Sequence, residues 1–232
     1  MLRSQLEALG HQVTVEPLLK IEHLPIASDV LAGIAGLIVT SRNGLRALAA
    51  SAAMDAGREL PLIAVGPGTA QLARELGFAH IVEGSGTADA LVPVIVETSR
   101  EVYGTLAHLR GEDVAFDLRG ALGARGIEVR EVVCYRSLPA TALAPQTRDL
   151  LAAGGIDAVI LMSPRTGAIF THLLAVAGLK KTPKSLVLLC LSPAVAATVE
   201  PLAPARVEVA ASPNSAAMLA AVTRVATLWS GV

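Results

Sequence analysis

The chain has 232 residues and a net charge of −1, with 53% hydrophobic, 17% charged and 3% aromatic residues. That composition excludes a disordered chain, which is poor in apolar residues and rich in charge, and it offers no global basic field for nucleic acid. The mean hydropathy is positive, but the longest uncharged stretches, Ser185–Val199 and Val209–Thr223, are broken at Pro193 and Pro213 and fall short of the roughly 20 apolar residues of a membrane span.

In chain order, short apolar runs bounded by turn residues predict strands at Gln12–Val15, Gly36–Thr40, Leu62–Val65, His80–Val82, Leu106–Leu109, Val129–Cys134, Ala158–Met162, Leu186–Leu191 and Val207–Ala210. Several are continuous rather than alternating, the mark of strands covered on both faces. Between them lie helical patterns at Gly44–Ala53, Thr69–Leu76, Ala88–Thr98, Phe116–Ala124, Thr166–Ala177, Ala194–Val199 and Ser215–Leu228. Strand alternating with helix predicts an α/β protein with parallel sheets.

The pattern repeats. The strand before Thr40-Ser41-Arg42-Asn43-Gly44 has a counterpart before Ser163-Pro164-Arg165-Thr166-Gly167. Gly66-Pro67-Gly68-Thr69 matches Ser192-Pro193-Ala194-Val195, and Gly86-Thr87 before Ala88 matches Asn214-Ser215 before Ala216. Three features recurring in one order predict two similar halves facing across a ligand cleft. The Pro/Ala stretch Ser137–Pro145 reads as one linker, and Pro17–Pro25 as a second crossing.

Each repeated loop is a strand end, a turn of small residues and a helix start. Ligands of open parallel sheets bind outside the carboxyl ends of strands, where helix N-termini offer unpaired N–H groups to carboxylate or phosphate. The candidate binding residues are therefore Thr40, Ser41, Arg42, Gly66, Gly68, Thr69, Gly86, Thr87, Ser163, Pro164, Arg165, Ser192 and Ser215, with Arg110 and Gly111 at the end of a further strand. Six such loops predict a large polyanionic small molecule. The same serines and threonines also serve as ordinary helix caps, and the arginines as solvated surface charge. Tyr135 follows an apolar run beside the linker and places a phenol at the junction of the halves, as a proton donor or as packing.

Other chemistry finds little support. Gly66-x-Gly68 opens a dinucleotide fingerprint, but Gln71 stands where its third glycine belongs and Pro67 removes an amide donor. The five histidines show no metal spacing, and two cysteines, Cys134 and Cys190, make no disulfide framework. No metal is expected. With no apolar leader in MLRSQLEALGHQ, the expected compartment is the cytoplasm.

Taken together, LEALGHQVTVEPLLKI, LIVTSRNGLRAL, LIAVGPGTAQLARELGF, HLRG, ALGARGIEVREVVCYRS, AVILMSPRTGAIF and SPNSAAMLAAV resemble the uroporphyrinogen-III synthase family over essentially the whole chain. The resemblance implies two flavodoxin-like α/β domains joined by a two-stranded linker, one discontinuous domain of residues 1–18 plus 139–232 and one of 21–134, with 19–20 and 135–138 as the linker strands. It implies closure of linear hydroxymethylbilane to uroporphyrinogen III with loss of water and inversion of the last ring, without metal or organic cofactor. The substrate it implies is a polycarboxylate linear tetrapyrrole, with a transient hand-over from hydroxymethylbilane synthase and no nucleic-acid or membrane partner expected. Tyr135 takes the place of the family's tyrosine that assists hydroxyl loss, and Ser41 and Ser163 those of its substrate turns.

Two departures are visible. The resemblance implies an opening strand before the first helix, whereas the sequence as given starts within that helix, and Ala194-Val195 stands where the family has hydroxyl residues in the second half. The rival expectation is a non-catalytic or degenerate two-domain anion-binding module.

Overall fold

The computed structural model describes residues 2–100, 102–179 and 185–229. Two compact units divide the chain, Met1–Lys20 with Pro139–Val232, and Ile21–Leu138. Helix α1 (Leu2–Ala8) is followed by β1 (Leu19–His23), β2 (Ile34–Val39), α2 (Arg42–Ala49), α3 (Met54–Arg58), β3 (Leu62–Ala64), α4 (Pro67–Glu75), β4 (Ile81–Glu83), α5 (Leu91–Thr98), β5 (Thr105–Gly111), α6 (Leu118–Gly123) and β6 (Val129–Pro139). Then come α7 (Pro145–Ala153), β7 (Ala158–Leu161), α8 (Pro164–Val176), β8 (Val187–Cys190), α9 (Pro193–Ala197), β9 (Arg206–Val209) and α10 (Ser215–Trp229). Residues 19–20 and 135–138 lie inside β1 and β6.

In the Ile21–Leu138 unit the sheet order is β1-β6-β5-β2-β3-β4, and the ladders joining β6, β5, β2, β3 and β4 are all parallel. Counted from β5, these five strands run 2-1-3-4-5, the flavodoxin-like order in circular permutation. Successive residues of β2 face opposite sides, as a strand dictates. Leu37 and Val39 pack with Leu45, Leu48, Ala70 and Ala73 of α2 and α4. Ile38 packs instead with Leu91, Ile95, Leu118 and Leu122 of α5 and α6. Both faces of the sheet are thus covered by helices, which is why the strand runs are continuously apolar.

In the other unit β7, β8 and β9 form a parallel sheet in that order. Leu188 and Cys190 face Phe170, Leu173 and Leu174 of α8, while Val187 and Leu189 face α1 and α10 through Leu6, Met218 and Val222. The repeat read from sequence is visible in the hydrogen bonds. Val65 N–H donates to Val39 O at 2.9 Å and Leu191 N–H to Leu161 O at 3.0 Å. Thr69 N–H donates to Gly66 O and Val195 N–H to Ser192 O, both at 3.0 Å.

Three expectations are corrected. Gln12–Val15 is not a strand; the three-stranded sheet consists of β7, β8 and β9, and Val13 packs its side chain against the core beneath it. The helix expected over Gly44–Ala53 ends at Ala49, with α3 a separate helix from Met54, because Ser51 donates its hydroxyl to Leu48 O (2.8 Å) and accepts from Ala53 N–H (3.3 Å), a local turn that competes with helix. The linker read over Ser137–Pro145 stops short: Pro145 opens α7 in the first helical position, which suits its fixed φ and missing donor. That helix is capped from far away in sequence, since Glu16 accepts from Ala144 N–H (3.0 Å) and from the Thr147 hydroxyl.

Candidate functional site

Because the strands are parallel, every strand–helix loop of the Ile21–Leu138 unit leaves the same edge of its sheet. Thr40, Ser41 and Arg42 follow β2; Gly66, Gly68 and Thr69 follow β3; Gly86 and Thr87 follow β4. Arg110 and Gly111 end β5, and Tyr135 lies beside Gly111 in β6. The fold therefore collects these sequence candidates on one rim. Ser163, Pro164, Arg165, Ser192 and Ser215 occupy the corresponding edge of the other unit, after β7, β8 and β9.

The loops differ in what they leave open. Ser41 caps α2 by accepting from Asn43 N–H at 3.2 Å. Ser163 and Thr166 form a reciprocal capping box on α8, so the Ser163 hydroxyl is already engaged. Ser192 has extended cap geometry but makes no side-chain cap bond among the described residues. Asn214, not Ser215, caps α10, accepting from Ala217 N–H at 2.9 Å. The start of α4 is the barest: Gly66 has no side chain to cap it, and Pro67 occupies the first helical position. With Pro67 lacking an N–H and Thr69 N–H donated to Gly66 O, the Gly68 N–H is the amide that this start keeps for a ligand among the described residues.

Close backbone approach explains two of the glycines. A Cβ on Gly66 would lie 3.0 Å from Gly86 Cα and 3.2 Å from Gly86 N. Gly86 itself, at φ 117°, adopts a backbone that L side chains rarely reach, and its N–H donates to Val65 O at 2.7 Å. The third and fourth strand ends thus touch without intervening side chains. Thr87 is exposed, and its hydroxyl hydrogen-bonds Asp89, holding that carboxyl below its ordinary range.

The basic candidates divide. Arg42 and Arg165 are exposed at their helix starts. Arg110 turns inward: Nε lies 3.0 Å from Glu131 Oε1, off the line of its N–H, and Nη1 donates to Gly111 O (2.8 Å) and Glu112 O (3.0 Å). Its charge is thereby largely matched within β5 and β6. His108, in the same segment, is 2% exposed; burial pushes its pKa down to about 4, with Glu131 opposing and Arg110 reinforcing. It is neutral at pH 7, so it supplies no positive charge to the rim.

Tyr135 owes its position to a bulge. Arg110 pairs with Val133 but Gly111 with Tyr135, skipping Cys134. A bulge re-aims the side chain after it, and Tyr135 accordingly packs on the same core face as Cys134. Both cysteine thiols are pushed up to about 11 by burial, so neither is a nucleophile at neutral pH. Among the described residues, no three His, Cys, Asp or Glu side chains come together so as to hold a metal ion, and no helix is long and apolar enough to cross a membrane.

Two features escaped the sequence reading. One is the pairing of Thr40 Oγ1 with His108 Nε2 at 3.1 Å, between residues 68 apart; no local signal announces it. The other is the tight seat of Gly167, where a Cβ would collide with the Thr198 hydroxyl. The repeated Gly in the two helix starts was its only signal.

The sequence profile of the family described as Uroporphyrinogen-III synthase HemD matches residues 1–220 of the chain. No curated protein matches. Among solved structures the chain is similar to uroporphyrinogen-III synthetase from Helicobacter pylori, with 17% identity and TM-score 0.67 over 93% of this chain and 96% of that one. It is also similar to a mutant uroporphyrinogen III synthase from the extremely thermophilic bacterium Thermus thermophilus, with 20% identity and TM-score 0.54 over 98% and 94% of the two chains. At these identities the likeness is one of fold.

Proposed function

Because this chain belongs to the uroporphyrinogen-III synthase family, we propose that its strand-end loops hold linear hydroxymethylbilane by its carboxylates while Tyr135 assists departure of the hydroxyl. The family places the chain in tetrapyrrole biosynthesis as a cyclising lyase. In our reading the domains are 1–18 plus 139–232 and 21–134, and the product is uroporphyrinogen III, with the last ring inverted.

The chemistry asks for orientation more than for a reactive group. Loss of the bilane hydroxyl, which leaves as water once it gains a proton, generates a reactive azafulvene. Left alone, that species closes at the wrong position and gives the type I isomer. A protein that holds the chain so that a spiro intermediate forms first changes the outcome by positioning and preorganised dipoles. Backbone amides suit that task because they bind carboxylates without a counter-charge that follows the substrate. Gly66, Gly68, Thr69, Gly86 and Thr87 let a ligand approach the backbone, with the Thr69 and Gly86 N–H groups already donated to Gly66 O and Val65 O and the Gly68 N–H left for a carboxylate. Thr40, Ser41 and Gly111 lie beside them, and Arg42 adds exposed charge. Ser163, Pro164, Arg165, Ser192 and Ser215 are the corresponding contacts of the other unit, with the capping box limiting Ser163 and Val195 standing where Thr69 stands in the repeat.

Cofactor independence belongs to the same proposal: ring closure with loss of water changes no oxidation state, so acid–base help and orientation suffice. So does a cytoplasmic location with hand-over from hydroxymethylbilane synthase. A polycarboxylate crosses no bilayer unaided, and a substrate that cyclises spontaneously favours prompt transfer.

The observation that carries this reading is the seat of Tyr135 against Gly111, on the rim that also bears the uncapped start of α4. The test is to supply hydroxymethylbilane and resolve the product isomers. Type III product above the uncatalysed rate is expected; type I alone, at that rate, leaves the non-catalytic anion-binding module instead.

A further inference from the structure

The helices after β2 and β5 leave the sheet on opposite faces. α2 packs with Leu37 and Val39 on one side, and α6 with Ile38 and Leu106 on the other. β2 connects onward to β3 and β5 to β6, on opposite sides of the β2–β5 boundary. That boundary is the topological switch point, where open α/β sheets form their ligand crevice. Thr40 is the first residue beyond β2, and His108 lies in β5 opposite Ile38. The two side chains meet at the switch point, with Oγ1 and Nε2 3.1 Å apart.

His108 is an anomaly in its strand. Its neighbours Leu106, Ala107 and Leu109 are buried apolar residues, and His108 is 2% exposed among them. A buried imidazole needs hydrogen-bond partners, yet Nδ1 has none among the described residues. Thr40 is thus the partner that its ring shows.

We propose that His108 is a positioning residue for Thr40, donating Nε2–H to Thr40 Oγ1 so that the Thr40 O–H points outward and donates to a substrate carboxylate. The inference rests on the function proposed above. Two tautomers fit the 3.1 Å contact. With the proton on Nδ1, Nε2 accepts the threonine hydrogen, a donor is orphaned in the core, and only lone pairs face the ligand. With the proton on Nε2, the orphan is an acceptor, which native proteins tolerate better than an orphaned N–H. The threonine hydrogen is then available, and the chain from imidazole to hydroxyl to carboxylate polarises cooperatively. The doubly protonated ring is excluded by burial, with Glu131 and Arg110 the charged groups acting on it in opposite senses. Arg42, two residues beyond Thr40, supplies long-range attraction; the hydroxyl supplies the directed contact.

The test combines spectroscopy with a double-mutant cycle. In the unliganded wild-type protein at pH 7, nitrogen-15 NMR is expected to show His108 protonated at Nε2; protonation at Nδ1 overturns the inference whatever the activity. With hydroxymethylbilane, His108→Leu and Thr40→Val should each raise KM by about tenfold, the loss of one hydrogen bond to a charged group, with a smaller change in kcat. His108→Gln, which keeps a donor near Nε2, should recover most of the loss. Adding His108→Leu to Thr40→Val should cost little more. Fully multiplicative effects mean that His108 does not act through Thr40. If the wild type itself makes only type I isomer, the proposed function falls; normal wild-type product with multiplicative variants removes this inference alone.

Discussion

Gly111 and Tyr135 stand opposite one another in the β5–β6 ladder, so close that a methyl on Gly111 would lie 2.8 Å from the ring Cε2, 2.9 Å from Cζ and 3.1 Å from the phenol oxygen. The glycine therefore sets where the phenol sits. Gly111→Ala should move the ring, which is the far end of a side chain and yields more easily than backbone. The stability cost should stay near the low end of the ~1–3 kcal/mol typical of overpacking. Turnover should fall ~10- to 100-fold, the penalty of an ångström-scale misplacement. Thermal unfolding and isomer-resolved rates, measured on one preparation, separate the two effects.

Tyr135→Phe removes the hydroxyl and keeps the ring. If the phenol assists hydroxyl loss, kcat should drop by about a hundredfold, the lower range for a positioned acid, while KM stays close to that of the wild type. Unchanged turnover assigns Tyr135 to packing alone.

His108 gives the protein an acid-side weakness. Above the ordinary value near 6.5 the ring is neutral in both folded and unfolded chains and adds no pH dependence. Below it the unfolded chain takes up a proton that the folded chain refuses until about pH 4. Stability contributed by the neutral buried ring is therefore complete above pH 6.5 and lost as pH falls toward 4, by up to about 3 kcal/mol. Urea titrations across that range should show the slope in the wild type and a shallower one in His108→Gln.

Gly167 and Thr198 lock α8 against the end of α9. Gly167→Ala should destabilise the protein by ~1–3 kcal/mol, because the new methyl meets the Thr198 hydroxyl, which is held by its bond to Val195 O at 2.6 Å. Removing that hydroxyl as well, in Gly167→Ala with Thr198→Ala, should recover part of the loss. Strictly additive costs would show that the clash is relieved in some other way.

Much of this protein was legible in its sequence. The continuous apolar runs Leu37–Val39, Leu62–Ala64 and Leu186–Cys190 declared strands buried on both faces, and the recurring Ser41/Ser163 and Gly66/Ser192 loops declared the repeat. Those signals are local: they depend on side-chain period and on turn residues within a few positions. The sequence also named the rim residues, since parallel strands separated by helices must end on one edge. What it could not determine depends on residues brought together from far apart. Only the fold shows that Gln12–Val15 is not a strand and that Glu16 caps α7. Only the fold shows that Arg110 is matched by Glu131, and that Asn214 rather than Ser215 caps α10. Seating Tyr135 on Gly111 required a bulge at Cys134, a slip of register that no local pattern encodes. The Thr40–His108 contact needed the crossover that sets β5 beside β2. Propensity and periodicity are properties of a segment, whereas a hydrogen bond or a steric contact is a property of a pair, and the pairs at this rim are decided by topology.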